Sequence, residues 1–499
     1  MKSFTKVLST LLTVSLVVPA LGACGGTSNG ASADKSMNDS ASSSVSVVSG
    51  AGTTSSVSSA SSSAASAAIS SSASTSDEAA SNSSASEASA SEASATENTD
   101  WQRADDDPVA VKVNIDAVPN ISDDFVLGMD ASSVLVEENS GVKYYGFDGK
   151  EQDVYKTLAE AGVNYIRLRL WNDPYDEDGN GYGGGNNDLK TDIKLGKRAT
   201  EAGMKVMLDF HYSDFWADPK KQFAPKAWKD MEIDEKCDAL SKYTTKSLTK
   251  MLDAGIDVGM VQIGNEINYG MSGERDYLKV IELLKAGSKA VRAVSKKYDK
   301  DIKIIIHYTD IKRPAGINSL CAKLEDRGVD YDIMGLSYYP YWDGTMKNMQ
   351  SVIENIVQKY GKQAMVAETS YPYTAKDGDG SGNSFPGDRD LVEGYGANVQ
   401  GQAQSVRDIA AAVSEAGGMG ICYWEGVWIP VGPASDDNSK IWEKYGSGWA
   451  SSYAGSYDPD DAGKYYGGCS WDNQAMFDFE GHPLDSLNVF KYIRTGSNN

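Results

Sequence analysis

The sequence predicts an α/β protein built as a single (β/α)8 TIM-type barrel with long loops, preceded by a signal peptide and a disordered Ser/Ala-rich tether. Three observations predict this. Eight short apolar or β-rich runs recur from Phe125 to Trp428, most followed by a helical stretch. Eight alternations over ~375 residues suit one closed barrel, whereas a doubly wound sheet usually shows fewer strands. The first strand-to-helix turn, GMDASS, also lacks the GxGxxG pattern with which a doubly wound sheet often holds a phosphate.

The chain of 499 residues begins with an address. Residues 1–23 read as a lipoprotein signal peptide: Lys2 and Lys6 precede an apolar stretch from Val7 to Leu21 that is short for a membrane span. Leu21-Gly22-Ala23-Cys24 resembles a bacterial lipobox, in which the thiol of Cys24 would be lipidated. Residues 24–99 are dominated by Ser and Ala, with too little bulky apolar side chain to offset chain entropy. A flexible linker of ~70 residues spans roughly 40–50 Å, enough to lift a head away from a membrane. Residues 100–121 read as a transition segment, and 122–499 as the barrel.

The strand runs are FVLGMDAS from Phe125, YIRLRLW from Tyr165, KVMLDFHY from Lys205 and GMVQIGNE from Gly259. They continue with KIIIHYTD from Lys303, YDIMGLSYYP from Tyr331, AMVAETSYP from Ala364 and GICYWEGVW from Gly420. Between them lie helix candidates such as 153–162, 192–203, 234–255 and 351–361, each closing on a Gly that can stop a helix. In a barrel the active site gathers at the C-terminal ends of the strands. Those ends read Asp130, Arg169 to Trp171, Asp209 to His211, Asn265-Glu266, His307, Tyr338-Tyr339, Glu368 and Trp424.

Formal net charge is -23 and no block rich in Lys and Arg opposes it, which argues against nucleic acid or a polyanionic glycan as partner. Three His and five scattered Cys form no CxxC or HExxH zinc motif. Cys237, Cys321, Cys422 and Cys469 show no disulfide framework, and a core this large does not require one.

Glu266 and Glu368 each end an apolar strand, where a solvated carboxylate fits poorly. Strands four and seven face each other across a barrel mouth. Cleavage of a glycosidic bond needs two carboxyl groups flanking it, about 5–5.5 Å apart in the retaining version. Either Glu taken alone reads equally well as a structural ion-pair residue; the two together at strand ends favour catalysis. Trp216 and Trp424 are candidate sugar platforms, because flat rings suit the apolar faces of pyranoses, although such rings also fill loop cores. His211 and His307 either bond sugar or hold neighbouring groups in place. Glu425 lies in the opposite strand phase from Trp424 and reads as structural.

Several long motifs resemble the endo-β-1,4-galactanases, arabinogalactan-degrading retaining barrel glycosidases. They are FVLGMDASS from Phe125, YIRLRLWND from Tyr165, Gly184-Gly185-Asn186, DFHYSDFWADP from Asp209, GNEINYG from Gly264, AETSYPYT from Ala367, YWEGVWIP from Tyr423 and WDNQAMFDFEGHPL from Trp471. They cover Phe125 to about Ile493, essentially the whole head. Gly426 departs from the family's YWEP pattern.

The resemblance implies Glu266 as proton donor and Glu368 as nucleophile, with Asn265 holding the sugar 2-hydroxyl. It implies that Arg169 orients Glu368 with help from Tyr338, and that Asp130, His211, Asp214, Trp216 and Trp424 meet the substrate. It also implies a calcium ion tying the loops after strands seven and eight through Asp379, Ser381, Asn383, Cys469 and Asp472. A second acidic loop, Asp176-x-Asp178-x-Asn180-Gly181, opens like a calcium loop, but its twelfth position is Asn187 instead of Glu, so it reads as a polar Gly-rich loop. The expectation is an exported, surface-anchored monomer that hydrolyses β-1,4-galactan. The rivals are a retaining barrel enzyme acting on mannan or glucan, and a sugar-binding lipoprotein that serves a transporter.

Overall fold

A computed structural model of the chain describes residues 111–385 and 391–498. Cys24, the signal segment and the Ser/Ala-rich tract lie outside the described residues. Eight parallel strands close into a barrel in sequence order. They are β1 (Val126–Asp130), β2 (Tyr165–Leu170), β3 (Lys205–Phe210), β4 (Val258–Ile263), β5 (Lys303–Tyr308), β6 (Ile333–Ser337), β7 (Gln363–Thr369) and β8 (Gly420–Tyr423). The barrel expectation is met, and every strand run lies on a strand.

Two-residue alternation divides each strand between two environments. One face meets the surrounding helices through Leu127, Leu168, Leu208, Val261, Ile306, Leu336, Val366 and Ile421, all fully buried. The other points inward. Near the N-terminal ends of the strands it is closed by Val126, Met207, Met260, Ile305, Ile333, Met365 and Cys422. One step further along, the inward positions turn polar: Asp130, Arg167, Asp209, Gln262, His307 and Ser337 are all buried. The alternation that packs the floor thus also aims a polar layer at the mouth.

The helices obey local rules. Asp188 caps Leu189–Glu201 through the Thr191 N–H, and Asn398 caps Val399–Glu415 through the Gly401 N–H. Met346–Tyr360 stops at Gly361, whose φ of 63° suits a residue without Cβ. The end of the transition segment packs onto the head: Ile115 and Ser497 exchange hydrogen bonds, and the Val118 N–H donates to Ile493 O. Among the described residues no helix is long and apolar enough to cross a membrane, and Cys237, Cys321, Cys422 and Cys469 are free thiols.

Candidate active site

The polar layer is organised around Arg167, which is 1% exposed. Its guanidinium reaches Asp130 at 3.0 Å, Asp209 at 2.8 Å and Glu368 at 2.9 Å. It also donates to Asn265 Oδ1 at 2.9 Å. A buried cation whose two terminal nitrogens are both engaged suits a site where several carboxylates converge, because each alone would be costly to desolvate.

Glu368 reaches this cluster through an irregularity of pairing. The β6–β7 and β7–β8 registers shift at Leu336/Ser337 and Val366/Thr369, which places Glu368 opposite Ser337. Such bulges re-aim side chains near active sites. Glu368 Oε1 faces Arg167, and Oε2 accepts from the Tyr339 hydroxyl at 3.0 Å. Burial pushes its carboxyl up to about 7 against the pull of Arg167.

Glu266 arrives by a different route. After β4 the chain turns sharply through Gly264 at φ 90°, and Glu266 itself sits at φ 46°. A non-glycine residue there costs of order 1 kcal/mol, and such outliers cluster at functional sites. Glu266 Oε1 lies 2.7 Å from Ser337 Oγ, and among the described residues no cation is paired with it. Burial first, then the negative charge of Glu368, hold its carboxyl well above the usual range. The two carboxyls sense each other in unlike surroundings: the one beside Arg167 and Tyr339 is the one to ionise, and the other keeps its proton. Among the described residues this is the acid-and-nucleophile asymmetry that glycoside cleavage needs.

Two assignments are corrected. Arg169 does not orient Glu368; it pairs with Glu425 and with the Gly184 carbonyl. Alternation puts Arg167 and Arg169 on the same inward face, but Arg169 is one step nearer the mouth and reaches Glu425, two residues past the end of β8. Tyr338 gives its hydroxyl to Gly344 O at 3.1 Å, whereas its neighbour Tyr339 points inward and reaches Glu368. Glu425, paired with Arg169 and Ser133, is a buried structural carboxylate as expected.

The remaining candidates divide by exposure. Asp130 is buried on Arg167 and Ser132. Asp214 is buried as a loop brace that accepts from the Asp173 and Lys226 N–H groups. His211 contacts Asp209 at 3.1 Å and accepts from Trp171 Nε1 and the Ala217 N–H. These three shape the site from behind its surface. Asn265 gives its Nδ2–H to Ala217 O and is 6% exposed.

Trp216 and Trp424 are half-buried, 6.2 Å apart between ring centroids, and Trp424 packs edge-on against Trp471 at 4.6 Å. The Arg169 guanidinium lies 4.3 Å from the Trp216 ring and stiffens that wall. Gly184 passes so close to Trp171 and Trp216 that an added Cβ would lie within 3 Å of both rings. Trp342, 46% exposed, lies beside Tyr339 and Trp471. Sequence reading gave no site role to Arg167, Ser337, Tyr339 or Trp471. Strand phase marks Arg167, Ser337 and Tyr339 as inward but does not choose between Arg167 and Arg169; no local signal marks Trp471. At Gly426 a Cβ would meet Met129 Sδ at 2.7 Å, so Met129 occupies the space a side chain would need.

Apart from Glu266 and Glu368, Asp377, Asp379 and Asp472 each bring a carboxylate oxygen within 4.8 Å of the others. Asp379 Oδ2 accepts from the Cys469 N–H and Ser381 Oγ accepts from the Gly468 N–H, so the loops after β7 and β8 already meet here. Asp472 Oδ1 and Asn383 Oδ1 are buried without a hydrogen-bond partner. Hard oxygen donors with two orphaned acceptors fit a calcium ion. By contrast Asp176 spends its oxygens on the N–H groups of Asp178 and Asn180 and on the Asn180 amide, as a self-satisfied polar loop does.

Known proteins resemble this chain over most of its length. A family model described as glycosyl hydrolase family 53 matches residues 126–490. An endo-beta-1,4-galactanase of Bacillus subtilis is 52% identical over 383 residues, covering 76% of this chain and 88% of that one. An arabinogalactan endo-beta-1,4-galactanase of Cellvibrio japonicus is 35% identical, covering 65% and 85%. The solved catalytic domain of an Ignisphaera aggregans family 53 enzyme superimposes with a TM-score of 0.68 at 39% identity, covering 77% of this chain and 99% of that one. With the barrel, the paired carboxylates and the family match in hand, the chain belongs to glycosyl hydrolase family 53.

Proposed function

We propose that this glycoside hydrolase is an endo-acting β-1,4-galactanase that cleaves arabinogalactan or pectic galactan with retention of configuration. The observation that carries the reading is the pairing of a buried, cation-held Glu368 with a half-buried, proton-holding Glu266 at the barrel mouth. Glu368 attacks the anomeric carbon and forms a glycosyl-enzyme while Glu266 protonates the departing oxygen. Glu266, now ionised, takes a proton from water as that water attacks the same carbon from the face opposite Glu368, whose bond to the sugar breaks to release the carboxylate. Tyr339 and Arg167 hold the nucleophile. Asn265 is tied by Arg167 and Ala217 at the edge of the cluster, where the 2-hydroxyl of the bound sugar would lie. Trp216, Trp424 and Trp342 supply stacking faces for successive sugars. The likeness to the Bacillus subtilis galactanase over most of both chains supports the substrate class.

Calcium, held by Asp379, Asp472, Asp377 and Asn383 with Ser381 and Cys469 alongside, would pin the two long loops and limit their ordering cost. Export and lipidation at Cys24 complete the reading: the Ser/Ala-rich tract would tether the enzyme to the cell surface. Reducing-sugar release across galactan, mannan and glucan tests the substrate. Turnover confined to galactan is expected, and preference for mannan or glucan, or binding without turnover, favours one of the rivals. Cys24→Ser is expected to move the protein from membrane fractions to the medium or leave it unprocessed; unchanged anchoring with normal processing contradicts the lipobox.

A further inference from the structure

Two anchors fix the direction of the hydrogen bonds behind Glu266. The Ala217 carbonyl only accepts, and it takes Asn265 Nδ2–H at 2.9 Å. The Arg167 guanidinium only donates, and it meets Asn265 Oδ1 at 2.9 Å. The Asn265 amide is therefore held with its oxygen toward His307 Nδ1, 2.8 Å away. A bare Nδ1 would set two lone pairs against each other there, so Nδ1 carries a proton. Gln262 Nε2 also lies 3.2 Å from that nitrogen, but Asp209 Oδ1 at 2.6 Å, Asn265 Oδ1 at 3.1 Å and Gly264 O at 3.2 Å already accept its two hydrogens.

His307 is fully buried. Burial first, then the charge of Arg167 on β2, hold its imidazolium form well below the usual range; Asp209 on β3 pulls the other way, and His211 just after β3 adds to the lowering. A neutral ring protonated at Nδ1 leaves Nε2 bare, 2.9 Å from Ser337 Oγ. Ser337 has one proton and two neighbours, that nitrogen and Glu266 Oε1 at 2.7 Å.

We propose that the Ser337 hydroxyl donates to His307 Nε2 and accepts the proton of Glu266, so that Ser337 and His307 are positioning residues that hold the acid/base carboxyl protonated between turnovers. The proposal rests on Glu266 being the acid/base. When Glu266 gives up its proton, the hydroxyl turns toward the new carboxylate and the buried Nε2 loses its donor. Ionisation is then linked to the loss of a hydrogen bond two residues away. The opposite polarity, with Nε2–H donating to Ser337, would free the hydroxyl to support the carboxylate and would create no such link. The other charges facing Glu266 are Glu368 on β7, Asp218 in the loop after β3 and Asp343 in the loop after β6.

The test is long-range 1H–15N NMR of the full chain labelled with 15N-histidine. Only three His are present, and single substitutions of His211 and His482 assign the third. Expected are a protonated Nδ1 and a bare Nε2 at His307. As pH rises, the Nε2 resonance steps with a midpoint matching the basic limb of kcat/KM. The step vanishes in Ser337→Ala and Glu266→Gln and persists in Ser337→Thr, which keeps the hydroxyl. If Ser337→Ala fails to fold, Glu266→Gln decides. A protonated Nε2, an imidazolium at working pH, no step, or a step that survives in Ser337→Ala overturns the proposal. The midpoint separates the two failures: a step that follows the polarity rules but lies away from the basic limb refutes the acid/base role of Glu266, not the polarity.

Discussion

Replacing Arg167 with Met separates the cation that holds the nucleophile from its neighbour on the same strand. The guanidinium is 1% exposed and its neighbours include Asp130, Asp209 and Glu368. Arg167→Met leaves three buried carboxylates without it, and breaking such a pair costs ~3–5 kcal/mol. Taking about 2 °C per kcal/mol, the low end for large domains, the melting temperature should fall by roughly 6–10 °C. The charge is also the strongest influence holding the Glu368 carboxyl down. Without it that carboxyl, already at about 7, rises further. The nucleophile works ionised, so the acid limb of kcat/KM must move to higher pH, and activity must fall more at pH 6 than at pH 8, about one unit either side of that value. Arg169→Met is the control. It strips Glu425 of its cation and removes support from Trp216, so it should destabilise and raise KM while the acid limb stays in place. Thermal melts with pH profiles on soluble galactan provide both readouts. An acid limb unmoved in Arg167→Met but shifted in Arg169→Met would refute the reasoning and restore the orienting role that the sequence suggested for Arg169.

Two further outcomes follow from the loops and helices. Chelator should lower the melting temperature of the wild type and have little effect on Asp379→Ala; an equal effect on both argues against calcium among Asp377, Asp379 and Asp472. Glu137 is buried, and burial first, then the charges of Glu425 and Asp379, hold its carboxyl well above the usual range. The native state therefore keeps a proton that the unfolded chain has lost, so stability falls as pH rises above the unfolded carboxylate value of about 4.3. Glu137→Gln removes that slope and should raise the melting temperature more at pH 8 than at pH 5, a window above that ordinary value; an equal gain at both would contradict it.

The fold was legible because its signals are periodic. Runs such as YIRLRLW and KIIIHYTD carry alternation along the strand, and helix stops such as Gly361 close the stretches between them. The two carboxylates that the structure brings to the polar layer, Glu266 and Glu368, were legible because each ends an apolar strand run. Their supports were not. Arg167 and Arg169 share an inward face, and choosing between them requires knowing that Glu368 is displaced by a register shift, which depends on pairing with β6 and β8. Tyr339 differs from Tyr338 by strand phase alone: Tyr338 packs in the outer core and Tyr339 shares the inward face of Ser337. Asp214 and His211 look exposed in a loop-rich sequence, but the long segments after β3 and β8 fold over them. Asp377 joins Asp379 and Asp472 only because two loops nearly a hundred residues apart in sequence meet in space.

The division of labour between Glu368 and Glu266 is tested most directly by the products of azide rescue on an activated aryl β-galactoside. In Glu266→Ala the glycosyl-enzyme forms but no base activates water, so azide, which needs none, should restore turnover and give the β-galactosyl azide. In Glu368→Ala azide replaces the missing nucleophile on the opposite face and should give the α-azide. The reverse stereochemistry would exchange the two roles, and near-wild-type cleavage of galactan by either variant would remove that residue from the mechanism.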